Sequence, residues 1–186
     1  MENVTVIRFL LVGRRPLMFD RYAGDNKTSL PPKEKLYLDE KRRLMLPAIN
    51  LFSMLVAENT KSVCRQFFGK NGKTIALGIS SYCVIDPFEL PINDDKGHIT
   101  FTDFNDQIYV HKAVAKLKGG IPNPKERPCL ALPWSIEGTV AYTENPYCSY
   151  ETLRDAFSRG GALGLGTFRP FFGLYTLAAF EAVKAP

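Results

Sequence analysis

A chain of 186 residues with 45% hydrophobic and 23% charged residues has the make-up of an ordinary globular protein and can bury a core without disulfides or metals. No apolar run approaches the roughly 18 residues of a membrane span, and Met1-Glu2-Asn3-Val4 has none of the features of a signal peptide, so a cytoplasmic protein without a membrane partner is expected. The formal charge of +5 points toward a polyanionic partner.

The charge is unevenly spread. The first 74 residues hold twice as many basic as acidic side chains. From Asp86 to Asp106 the chain is acidic, with Lys96 the single base; from His111 to Arg127 it is basic, with Glu126 the single acid. This pattern reads either as two contact surfaces or as a solvated loop of mixed charge. Cys64, Cys83, Cys129 and Cys148 form no close pair of the kind that aims two thiolates at one zinc ion. Reduced, buried thiols are expected, with no metal and no cofactor.

In chain order, Val4 to Val12 reads as a strand buried over most of its length, ended by Gly13-Arg14-Arg15-Pro16. Lys35–Leu38 and Arg43–Leu46 flank Asp39-Glu40-Lys41-Arg42 as a hairpin with a charged tip. Pro47 suits the start of a helix. Ile49, Phe52, Leu55, Val56, Val63 and Phe67 follow at helical spacing, with a break near Asn59-Thr60. Thr74 to Val84 alternates through Ile75, Leu77 and Ile79 as a strand.

Residues 86–130 read as an insertion projecting from a single domain that spans 1–186, with a hairpin strand at Gln107–Val110. Trp134, Ile136, Val140 and Tyr142 then mark the buried face of a strand whose other face carries Ser135, Glu137 and Thr139. Ser149 caps a helix with the apolar stripe Leu153, Ala156 and Phe157, ending at Gly160-Gly161. Leu174 to Val183 closes the chain as a strand. The order strand, helix, strand, strand, helix, strand predicts an α+β, ferredoxin-like (RRM-like) βαββαβ core with inserted hairpins, one sheet face covered by helices and the other open.

The segment from Arg159 to Gly173 packs glycines densely. It has no Gly-Lys-Ser or Gly-Lys-Thr, and it follows a helix and precedes a strand, the reverse of a Rossmann fingerprint. A glycine-rich helix-to-strand connection remains, able either to bring backbone amides near a phosphate or base or to pack helix against strand. Arg14 and Arg15 leave the first strand together. Lys112, Lys116 and Lys118 recur beside Tyr109 and His111, the mixture of cations and rings that backbone neutralisation and base stacking require.

The placement of this loop resembles the glycine-rich loop of the RAMP superfamily, the RNA-binding subunits of CRISPR effector complexes. Gly13-Arg14-Arg15-Pro16-Leu17-Met18, Arg43-Leu44-Met45-Leu46-Pro47-Ala48 and Gly164-Leu165-Gly166-Thr167-Phe168-Arg169-Pro170 with Phe172-Gly173 carry the resemblance, which includes small phage-encoded members. It covers both ends of the chain but not the middle. The resemblance implies subunits stacked head-to-tail along RNA, with a projecting hairpin separating runs of nucleotides.

The expected function is non-catalytic binding of single-stranded RNA or DNA along the open sheet face and the glycine loop, as a homo-oligomer and with other nucleoprotein subunits. Arg14, Arg15, Lys112, Lys116, Lys118, Arg159 and Arg169 are the expected phosphate contacts. Gly164 and Gly166 would permit close backbone approach, and Tyr109 or Phe168 would stack, with His111 beside them. Two other readings stay open: a phage assembly or inhibitory protein acting through protein contacts, and a metal-independent endoribonuclease using His111. His98 lies in the same segment, and Asp103-x-x-Asp106 is too common a pattern to signal a metal.

Overall fold

The computed structural model describes residues 4–25, 27–58, 61–116 and 122–183. In chain order it contains β1 (Val4–Gly13), β2 (Leu17–Met18), β3 (Met45–Pro47), α1 (Ala48–Val56), α2 (Val63–Phe67) and α3 (Gly72–Tyr82). There follow β4 (Cys83–Asp86), β5 (Glu89–Asp94), β6 (Gly97–His98), β7 (Ile108–Lys116) and β8 (Pro122–Leu130), then β9 (Ser135–Thr143), α4 (Tyr150–Leu163) and β10 (Tyr175–Val183). The main sheet runs β10-β1-β9, and β9 is then flanked in succession by β4 and β5. With β1, β4, β9 and β10 as the four strands, every pairing antiparallel, and helices after β1 and β9, this is the ferredoxin-like α+β core. A second sheet, β2-β8-β7, stands beside it. Among the described residues no helix is long and apolar enough to cross a membrane.

The alternation of β1 buries one face only. Ile7, Phe9 and Leu11 are fully enclosed, whereas Val6, Arg8 and Val12 on the other face are exposed. The strand expected to be covered over most of its length is therefore half-buried. β9 follows its expected register: Trp134, Ile136, Val140 and Tyr142 enter the same core as Leu153 and Phe157 of α4. Ser149 caps α4, its hydroxyl accepting from the Thr152 amide at 3.2 Å.

Three expected elements differ. The strand over Thr74–Val84 is a helix for most of its length, and only Cys83–Asp86 is extended. Ile75 and Ile79 are buried four residues apart while Leu77 lies half outside, so the period is helical; the isoleucines fit either pattern until α2 and α3 pack. The charged hairpin shrinks to one bridge, Leu38 to Leu44, because Pro32–Lys35 forms a 3₁₀ turn and β3 pairs with β5 instead. The third difference is the end of α4, which runs through Gly160 and Gly161 to Leu163. A Cβ at Gly161 would overlap the Tyr175 carbonyl, and one at Gly160 the Tyr175 hydroxyl and the end of Met54. These glycines let helix and strand approach closely rather than stop the helix.

All four cysteines are buried. Loss of solvation pushes the Cys64 thiol up to about 11 and those of Cys83, Cys129 and Cys148 up to about 12. A thiol reagent at about pH 8 is therefore expected to label none of them in the native protein and all of them after denaturation. The sign of the pH dependence follows. Unfolded thiols ionise near 9.0 while the folded ones hold their protons, so stability is full below that value and falls as pH rises from 9.0 toward about 12. Urea midpoints on both sides of pH 9 check this.

Candidate nucleic-acid interface

The candidate interface begins where β1 runs out. Arg14 and Arg15 are exposed, and their backbone is held from two sides: the Arg14 amide donates to the Leu174 carbonyl at 2.7 Å, and the Trp134 indole N–H donates to the Arg15 carbonyl at 2.8 Å. The chain then forms β2, paired with β8, and the loop from Gly164 to Gly173 closes over it.

Most amides of this loop are engaged by the protein itself. Leu165 donates to the Gly173 carbonyl (3.0 Å), Thr167 to Met18 (3.0 Å), Gly173 to Pro16 (2.8 Å), and Gly166 to Asn50 Oδ1 of α1 (3.0 Å). Gly164 and Gly166 have φ of 82° and 73°, and a Cβ at Gly166 would overlap the Met18 carbonyl. Close backbone approach does occur at Gly164 and Gly166, but toward Phe172 and Met18 rather than toward an open cradle.

What the loop displays is aromatic. Phe168 has φ of 60°, a left-handed backbone that is costly for a bulky residue, and it is 40% exposed; Phe171 is 67% exposed. The Arg127 guanidinium lies 5.2 Å from the centre of the Phe168 ring, and its Nε binds Asp20 at 2.7 Å. Asp20 also meets the buried Lys35 at 3.5 Å, and Lys35 donates to the Glu126 carbonyl at 2.9 Å. This network pins the base of the β7–β8 hairpin against residues 20–35. Arg15 reaches the Phe171 carbonyl at 3.4 Å, a long contact. Arg169 is half-buried, and lost solvation pulls its pKa down.

His111 and Tyr109 share the loop-facing side of β7. The His111 ring meets Phe172 edge-on with centroids 5.2 Å apart, and His111 sits opposite Arg127 in the register. Tyr109 is half-buried opposite Cys129 in the register, and desolvation raises its pKa. The remaining residues separate from this group. Lys112 is on the opposite side of β7, in an exposed ion pair with Glu126 at 2.9 Å that raises its pKa. Lys116 ends β7, and Lys118 lies outside the described residues. Arg159 belongs to the helical layer, bound to Asp155 at 2.7 Å and lying 5.7 Å from the rings of both Phe67 and Phe68.

Arg15 and His111 thus meet the loop through Phe171 and Phe172, with Phe168 and Arg169 in the loop itself and Arg14 next to Arg15, while Tyr109 lies on the same side of β7 as His111. Sequence reasoning missed Asn50, Asp20, Arg127, Phe171 and Phe172 as partners in this cluster. Arg127 stood in the noted basic run and the two phenylalanines in the noted motif, but only the β2-β8-β7 sheet brings them together. The open face of the main sheet, also an expected strand-binding surface, carries no Phe, Tyr or Trp on β1, β4, β9 and β10 among the described residues, and its Arg8 is bound by Glu137. No three His, Cys, Asp or Glu side chains among the described residues are grouped to hold a metal ion.

No protein-family profile and no curated protein matches the chain. Among solved structures, a chain of the type III-B Cmr-beta assembly, determined by cryo-EM bound to cognate target RNA, superposes with a TM-score of 0.59 at 14% identity. The match covers 98% of this chain and 62% of that one, so this chain spans less than two thirds of its neighbour's length. At that identity the likeness is one of fold alone.

Proposed function

We propose that this protein is a RAMP-like, non-catalytic subunit that binds single-stranded nucleic acid, with RNA the expected strand, and assembles head-to-tail along it. One observation carries the reading: Phe168 and Phe171 stand exposed at the rim of a loop flanked by Arg14, Arg15 and Arg169. Rings for stacking beside cations for phosphates are the two ingredients of sequence-tolerant single-strand binding. The RNA-bound neighbour of the same fold supports RNA over DNA. Lys112 and Arg159 contribute little here, since each already holds a carboxylate.

Purification tests this directly. The protein is expected to leave a size-exclusion column with an absorbance ratio showing bound nucleic acid, and ribonuclease is expected to reduce both that ratio and the particle mass. Protein-only material, unchanged by ribonuclease or deoxyribonuclease and unable to take up an added single strand, contradicts the proposal.

A further inference from the structure

The sheet face away from the helices takes no part in the site above. Its register aligns Val183, Val6, Ala141 and Val84 in one row across four strands. Val183, Val6 and Val84 are 46%, 39% and 60% exposed, and Val4 on the same face is 57% exposed. Exposed valines placed singly need no explanation, but a continuous row marks an interaction surface. The adjacent row holds Glu181, Arg8, Thr139 and Asp86, with Glu137 beside it.

Three carboxylates, Asp86, Glu137 and Glu181, stand there against one guanidinium, Arg8, which is bound to Glu137. The surplus is negative. Such a face repels phosphate and favours a cationic partner. The row crosses paired strands whose backbone groups are already bonded to one another, so an occupant must satisfy its own backbone. A helix does so. The outer strands are three spacings apart, about 14 Å, which two to three turns of α-helix span.

We propose that this open face docks an amphipathic helix of another polypeptide, its apolar stripe on the valine row and its Lys or Arg flank facing Asp86 and Glu181. The probe is a labelled, stapled helix with a leucine stripe flanked by lysines, compared with the same peptide carrying glutamates. Fluorescence anisotropy is expected to show the lysine peptide binding in preference, weakened about tenfold or more by Val6→Thr with Val84→Thr, which exchanges for hydroxyls two methyls that the docked peptide would cover while keeping β-branched side chains. Glu181→Lys should weaken the lysine peptide and strengthen the glutamate one, and melting curves confirm that the variants fold. Equal binding of the two peptides, or binding unchanged in the valine variant, overturns the proposal. So does self-association by light scattering that the valine variant abolishes, which would assign the face to a second copy. Loss of single-strand binding in that variant would assign it to nucleic acid and overturn the proposal as well.

Discussion

Replacing Phe168 and Phe171 together by alanine is expected to weaken single-strand binding about thirtyfold or more. Stacking of a base on an aromatic side chain contributes roughly 1–3 kcal/mol by alanine substitution, and about 1.4 kcal/mol corresponds to tenfold in affinity. Both rings stand partly in solvent, so the fold should be little disturbed. The salt dependence should stay as in the wild type, because no phosphate contact is removed. Anisotropy titrations with a labelled oligonucleotide at fixed salt measure the loss, and thermal denaturation checks the fold. Unchanged affinity removes stacking from the account.

The largest effect on stability is expected at Trp134. Its indole is 1% exposed within the core, and its N–H donates to the Arg15 carbonyl at 2.8 Å. Truncating a buried tryptophan to alanine costs about 3–5 kcal/mol, a large share of the roughly 5–15 kcal/mol that holds a typical domain folded. A fall in melting temperature of about 10 °C or more is expected by circular dichroism. Trp134→Phe keeps most of the burial but leaves the Arg15 carbonyl without its donor, at a cost of roughly 1–3 kcal/mol. That variant separates the two roles, because it should also loosen the Arg14-Arg15 segment and weaken strand binding beyond its effect on stability.

The sequence disclosed the elements whose periodicity is unambiguous. The strict alternation through Ile136, Val140 and Tyr142 led to the observed register, and Ser149 announced the start of α4. The ferredoxin-like order was legible even though its second strand was placed too early. Ile75 and Ile79 lie four residues apart, a spacing that satisfies both periods, and only packing against α2 decides between them. Gly160 and Gly161 read as a stop because nothing local reveals Tyr175 pressed against them.

The site was half legible for a related reason. Arg14, Arg15 and Phe168 are close in sequence to the motifs that drew attention to them. Arg127 reaches Phe168 only because β8 pairs with β2, and Asn50 reaches Gly166 across 116 residues of chain. Lys112 and His111 are neighbours in sequence but lie on opposite faces of β7, and a run of basic residues does not record that alternation.

Whether the junction of β1 with the glycine loop holds a nucleic-acid strand is decided by the salt dependence of binding. Titrations of a generic single strand at several salt concentrations should give a linear fall of log affinity with log salt, of slope about −0.7 for each phosphate neutralised. Arg14→Ala with Arg15→Ala should flatten that slope by about 1.4 and weaken binding evenly across sequences. Lys112→Ala, whose ammonium is already paired with Glu126, should change it little. A slope unchanged in the double arginine variant, or no binding of the wild type at low salt, contradicts the claim.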